Sequence, residues 1–318
     1  MNRLSEATGA KDPTGGEAGS LAPSERIPAL VVSGFLGSGK TTLIRHLLDE
    51  AVRTGVRVAL VSNELGELGI DRALLGQGEE AYVELEGGCV CCELSDDLLV
   101  TLQQLFEAVR PDRVIIETSG VALPYDTQLN FWREPVCHWI GDDMAVVVVN
   151  AEQVAEERDL EGTFTDQISS ADLLLMNKVD LLSEAELERA VERLRSIEGE
   201  APLVTCTRGL VEPNLLFPPM PAGSAASPRR EADRPAPRPH SHEHFRTEEW
   251  RPAEKISGAE LEQSLREAGV LRAKGFVETD EGIRLVQVVG RRVEISEPEG
   301  APPAEMVGRV VMIRRADA

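Results

Sequence analysis

The sequence predicts an α/β fold: a mostly parallel sheet with helices on both faces, of the P-loop NTPase type, followed by a smaller C-terminal α+β unit. Three observations carry this reading. Short continuous runs of Val, Ile and Leu alternate with amphipathic stretches from residue 28 to about 206, the pattern of strands buried on both faces and joined by helices. The first run, Pro28–Ser33, leads directly into Gly34-Phe-Leu-Gly-Ser-Gly-Lys-Thr-Thr42, which fits the phosphate-binding sequence G-x-x-x-x-G-K-[ST] in its strand-loop-helix context. A proline-rich stretch from Pro213 to Pro239 then separates this part from a second patterned region, as a linker does.

Residues 1–27 are polar, rich in Gly, Ser and Glu, and contain no apolar core of a signal peptide; they are expected to be a disordered tail of a cytoplasmic protein. Strands are expected at 29–33, 56–62, 82–86, 113–117, 145–150, 172–176 and 202–205, with helices at 40–53, 95–109, 152–160 and 183–197. Together they make a nucleotide domain over 28–212. The linker is expected over 213–244, with little in it that could form a core. The C-terminal unit follows at 245–318, with a helix at 257–268 and strands at 270–278, 283–289, 291–296 and 306–315.

The 318 residues carry 33 Lys and Arg against 55 Asp and Glu, a net charge of −22. That balance disfavours nucleic acid and anionic membranes as partners. No apolar run approaches the roughly 20 residues of a membrane span. Five cysteines in a chain without an export signal are expected as thiols rather than disulfides.

The P-loop glycines, Gly34, Gly37 and Gly39, let the backbone wrap an anion, with Ser38 and Thr42 in the same loop. Lys40 reaches the β- and γ-phosphates, and Thr41 offers a hydroxyl to Mg²⁺. Glu117-Thr-Ser-Gly120 follows the strand Val114–Ile116. It takes the place of the acidic residue that supports Mg²⁺, with Gly120 able to approach the γ-phosphate. Glu stands here where the general GTPase pattern has Asp. Asn177-Lys178-Val179-Asp180 follows the strand Leu173–Met176. In P-loop GTPases such an N-K-x-D reads guanine, its Asp accepting hydrogen bonds that adenine cannot offer.

Gly87-Gly-Cys89-Val-Cys91-Cys92 places three thiols within four positions. They can converge on a soft metal ion such as Zn²⁺ or Cu(I). Two other readings compete: a redox pair, or small buried hydrophobes. Asn63-Glu64-Leu65-Gly66-Glu67 follows the second strand, where a nucleotide-sensitive switch belongs, so Glu64 and Glu67 can supply Mg²⁺, water-positioning or metal contacts; the residues alone favour the plainer reading of a solvated acidic loop. His240, His242 and His244 alternate in the linker and can form an auxiliary metal site; a polar disordered stretch is the competing reading. His46 is read as structural, and Cys137 and Cys206 as packing.

GFLGSGKTT, NELGE, GGCVCC, ETSG and NKVD, in this order, resemble the CobW-type metallochaperone GTPases, relatives of the hydrogenase- and urease-maturation GTPases. The likeness covers roughly 28–210, and Leu271-Arg-Ala-Lys-Gly-Phe-Val277 resembles the family's second domain. The resemblance implies GTP hydrolysis to GDP, with Gly37 to Thr42 on the phosphates and Lys40, Thr41 and Glu117 at the catalytic centre with Mg²⁺. It implies Asn177, Lys178 and Asp180 on the guanine. Cys89, Cys91 and Cys92, joined by Glu67, would hold a transferred metal, Zn²⁺ or Co²⁺, for a client metalloprotein. Some relatives carry an acidic residue just before the Asn of the switch; here it is Ser62. The second domain is expected to present a client surface or to cover the nucleotide side. A redox-sensing GTPase and a nucleotide-regulated metal buffer or storage protein are the alternatives. The metal, the client and the oligomeric state stay open at this level.

Overall fold

The computed structural model describes residues 26–62, 82–86, 96–217, 245–252, 256–290, 292–298, 301–302, 304 and 307–316. Its elements in chain order begin with β1 (Ile27–Ser33), α1 (Lys40–Thr54), β2 (Val58–Ser62), β3 (Tyr82–Glu86), α2 (Asp96–Val109) and β4 (Arg113–Glu117). Next come α3 (Pro124–Gln128), β5 (Ile140–Asn150), α4 (Ala151–Ala155), α5 (Thr163–Ser169), β6 (Leu173–Asn177), α6 (Glu184–Ile197), β7 (Leu203–Thr205) and α7 (Pro213–Leu216). The second unit comprises β8 (Phe245–Trp250), α8 (Gly258–Glu267), β9 (Arg272–Thr279), β10 (Gly282–Val289), β11 (Arg292–Ser296) and β12 (Arg309–Arg315).

The first sheet has seven strands in the order β3-β2-β4-β1-β5-β6-β7, paired in parallel throughout. Side chains alternate faces along a strand, and both faces are covered. Leu30 and Val32 of β1 enter one apolar cluster with Leu43, Ile44, Leu47 and Leu48 of α1. Ala29 and Val31 enter another with Leu98, Leu102, Leu105 and Phe106 of α2. The apolar spacing of α1 builds its buried stripe, and Gly55, at φ 70, ends it with its N–H on Ala51 and Val52 carbonyls. The second unit is a five-stranded sheet, β11-β10-β9-β12-β8, antiparallel at each pairing. Leu261 and Leu265 of α8 close its core.

Several expected boundaries move. Strand β5 begins at Ile140 rather than 145, because Asp142 and Asp143 read as loop in the sequence yet pair with Arg272 and Arg292. The helix expected at 152–160 stops at Ala155, where Glu157 and Asp159 take positive φ of 54° and 51°. An unexpected helix, α5, then packs Phe164 and Ile168 into the core. The linker expected from 213 starts too early: Leu215, Leu216 and Phe217 are buried beside α1, and residues 218–244 lie outside the described residues. Strand β8 escaped the sequence reading because its FRTEEW pattern is charged. The expected tail, 1–27, lies outside the described residues up to residue 25.

The two sheets meet at the amino ends of β5 and β6. Arg272 reaches Asp142 at 2.9 Å, Arg292 reaches Asp172 at 2.6 Å, and Gln287 donates to the Gly141 carbonyl at 3.3 Å. At Gly290, φ 57, a Cβ would stand 1.6 Å from the Asp172 carbonyl oxygen, so the contact requires glycine. The expectation that the second unit covers the nucleotide side is therefore corrected: it seats on the opposite edge from the P-loop, which follows the carboxyl end of β1.

Candidate functional site

The loop between β1 and α1 is built by backbone shape. Gly34, at φ 133, passes so near β5 that a Cβ would lie 2.2 Å from the Val148 carbonyl oxygen. Gly39, at φ 106, precedes α1, and its Cβ would lie 2.2 Å from Asn177 Nδ2. No acidic residue occupies the first turn of α1, so its N–H groups and dipole face the loop without a competing anion. Lys40 is buried and folds back, donating to the carbonyls of Gly34 at 2.9 Å and Phe35 at 3.4 Å. The hydroxyls of Ser38 and Ser119 are buried without a partner among the described residues, and such atoms call for an oxygen-rich ligand.

Glu117 closes β4 with its carboxylate fully buried. Ser62 Oγ donates to its Oε2 at 2.9 Å, and Thr41 Oγ1 donates to its Oε1 at 3.4 Å. A carboxylate beside a hydroxyl, both hard oxygen donors, fits Mg²⁺. The following loop lies along the P-loop: a Cβ on Gly120 would be 3.2 Å from the Leu36 nitrogen. Gln167 of α5 fixes that loop by donating to the carbonyls of Gly120 at 3.1 Å and Ala122 at 2.9 Å.

Asn177 joins the P-loop to the loops that follow β6 and β7. Its Nδ2 donates to the Ser38 carbonyl at 2.9 Å, while its Oδ1 accepts from the Gly209 N–H at 2.9 Å and from Cys206 Sγ at 3.4 Å. Lys178 follows in left-handed backbone, φ 65, and Asp180 is exposed. The Asn therefore scaffolds the loop, while Lys178 and Asp180 reach the surface. Thr42, also read as a phosphate residue, is exposed as the third residue of α1.

Glu86, Ser62, Glu117 and Val32 stand in one row across four adjacent strands, as the register pairs Ser62 with both Glu86 and Glu117, and Glu117 with Val32. The switch segment leaves after Ser62 and the cysteine segment after Glu86. Glu64, Glu67, Cys89, Cys91, Cys92, His240, His242 and His244 lie outside the described residues. Among the described residues no cluster of three His, Cys, Asp or Glu could hold a metal. His46 is structural, its Nε2 3.1 Å from the Val211 carbonyl.

Sequence reasoning missed Gln167, Gly209 and the part played by Cys206. A signal existed for two of them: Cys206-Thr-Arg-Gly209 directly follows β7, and carboxyl ends of parallel strands are where ligands gather.

Residues 28–205 match the CobW/HypB/UreG nucleotide-binding domain, and residues 245–317 match the cobalamin synthesis protein cobW C-terminal domain. A protein of Sinorhizobium sp named zinc chaperone CobW is 33% identical over 310 residues, spanning 85% of this chain and 87% of its own. The zinc chaperone YjiA of Escherichia coli (strain K12) is 36% identical over 197 residues, 60% of this chain and 61% of that protein. A crystal structure of Zn(II)-bound YjiA GTPase from E. coli superposes with a TM-score of 0.47 at 25% identity, covering 91% of this chain and 93% of that one.

Proposed function

Since the chain belongs to the CobW/HypB/UreG family, we propose that it is a GTP-hydrolysing metallochaperone that carries zinc to a client metalloprotein. The observation that carries the reading is the Asn177 bridge, which draws the P-loop and the N-K-x-D loop together at the edge where Glu117 ends β4. The zinc chaperones related to it at 33% and 36% identity support zinc as cargo. Cobalt remains the competing cargo for the same thiols.

On GTP binding, Lys40 turns its ammonium from the Gly34 and Phe35 carbonyls to the β- and γ-phosphates. The N–H groups of Gly37 to Thr41 and the Ser38 hydroxyl take the phosphate oxygens. Thr41 and Glu117 would hold Mg²⁺, which when bound neutralises charge on the bridging phosphate oxygens. Asp180 accepts from the guanine edge, and Lys178 lies along it. No strong general base stands at the described site, so hydrolysis rests on positioning and charge stabilisation and turns over slowly.

Cys89, Cys91 and Cys92, with Glu67, bind the zinc cargo in the segments that leave the Glu117 row. Thiolate ligation suits zinc. Ordering of those segments by the γ-phosphate tightens the metal site, and hydrolysis loosens it toward the client. His240, His242 and His244 gather metal near the site. Among the described residues no helix is long and apolar enough to cross a membrane.

The test is zinc affinity by chelator competition, with Mg²⁺ and either a non-hydrolysable GTP analogue or GDP, for the wild type and Cys91→Ser. Expected is tighter binding with the analogue, by about 5-fold or more, the lower end of ordinary allosteric coupling, and loss of that binding in the variant. By linkage, zinc must raise analogue affinity by the same factor. Equal zinc affinity with both nucleotides removes the gating and leaves a metal buffer. Reversible thiol oxidation without bound metal leaves a redox-sensing GTPase.

A further inference from the structure

We propose that Ser62 is a positioning residue for the nucleotide-associated Mg²⁺: its hydroxyl orients the Glu117 carboxylate. The inference rests on the GTPase reading above and adds a residue to it.

Ser62 is the last residue of β2 and stands directly opposite Glu117 in the parallel register. Neighbouring strands run about 4.8 Å apart, and paired residues of a parallel ladder share a face. That face is the one covered by α1, since Val58 and Leu60 on the same strand enter the α1 cluster. Ser62 is 3% exposed and Glu117 is 0% exposed. A carboxylate so enclosed needs hydrogen-bond donors, and it is held more firmly by a short contact than by a long one.

The Ser62 and Thr41 hydroxyls differ in this respect. Ser62 Oγ lies 2.9 Å from Oε2, while Thr41 Oγ1 lies 3.4 Å from Oε1. The Thr41 hydroxyl belongs to the P-loop and is the group that the cation recruits. Ser62 belongs to the sheet, and its hold does not depend on the nucleotide. It therefore fixes the carboxylate torsion before the cation arrives, so that Oε1 already faces the Thr41 side. Pre-setting of this kind lowers the ordering cost of binding.

The placement also connects two parts of the chain. Ser62 immediately precedes Asn63, where the switch segment starts, so its backbone is shared between that segment and the Glu117 contact. An acidic side chain at this position would face Glu117 with a like charge; the serine hydroxyl donates to it instead.

The experiment measures how much Mg²⁺ strengthens binding of a fluorescent, non-hydrolysable GTP analogue to the full chain, as the ratio of affinities in Mg²⁺ and in EDTA. The variants are Ser62→Ala and Ser62→Thr, each checked by thermal melting. One lost hydrogen bond to a buried carboxylate predicts a drop of about 10-fold in that ratio for S62A, with recovery in S62T, which keeps a hydroxyl. An unchanged ratio in S62A overturns the proposal. So does an equal loss in Mg²⁺ and in EDTA, which marks a general disturbance of the site. If the wild type binds no guanine nucleotide in either condition, the GTPase reading itself falls. A wild type with a clear Mg²⁺ effect and an indifferent S62A removes this inference alone.

Discussion

At the scale of single residues, Asn177 does more than its motif advertises. One side-chain amide satisfies the Ser38 carbonyl and the Gly209 N–H, both in buried residues. Replacing it with Ala leaves two buried polar groups unpartnered, each costing about 1–3 kcal/mol. Asn177→Ala is therefore expected to lose roughly 2–6 kcal/mol in urea denaturation and to weaken nucleotide binding in step. Stability within ~0.5 kcal/mol of the wild type, the ordinary span of surface changes, would discard the bridge. The place of the tetrapeptide Asn177–Asp180 at the end of a strand was legible in the sequence. The bridge was not, because its partners lie 139 and 32 positions away in sequence and nothing local encodes them. Glu117 gives the same lesson: its type and place could be read, but its Ser62 donor follows from strand register.

At the scale of elements, α6 carries its own start signal just beyond the Asn177–Asp180 loop. The N–H and hydroxyl of Ser183 both donate to Glu186 Oε2, at 2.8 and 2.6 Å. The hydroxyl first, and the N–H second, hold the Glu186 carboxyl below its usual range. A depressed folded value means that the cap contributes above the unfolded value and is lost as pH falls through the folded one. Ser183→Ala is expected to move the Glu186 titration up toward the ordinary range, followed by carbon-detected NMR, and to shrink the acid sensitivity of α6. A titration that does not move rules out the serine as the cause. Caps and two-sided apolar strands are local in sequence, which is why α6 and the central strands were placed within a residue or two. The first residues of β5 were not: Asp142 and Asp143 pair with Pro28 and Ala29 of β1, and their carboxylates are matched by Arg272 and Arg292, more than a hundred positions later.

At the scale of the molecule, the join between the two sheets is a charge cluster under cover. Arg272 is 1% exposed against Asp142. Burial pulls its guanidinium below the usual range, with Asp142 pulling it back. Nearby, burial pushes the Asp172 carboxyl up, against the pull of Arg292. Removing one partner strands a buried charge, so Arg272→Ala is expected to cost about 3–5 kcal/mol in urea unfolding. Arg272→Met with Asp142→Leu removes both charges and should recover most of that loss. A double variant as unstable as the single one would mean that packing, and not charge, holds the sheets together.

Strand β5 carries both seats: Asp142, which grips Arg272 of the second sheet, and Val148, whose carbonyl lies against Gly34 of the P-loop. Six steps separate them, roughly 20 Å at the rise of an extended strand. A strand at the middle of a packed sheet neither lengthens nor shortens, so this spacing is that of a strut. Whatever passes between the second sheet and the nucleotide must travel as a tilt about that strut, or as a change in how tightly its loops are held.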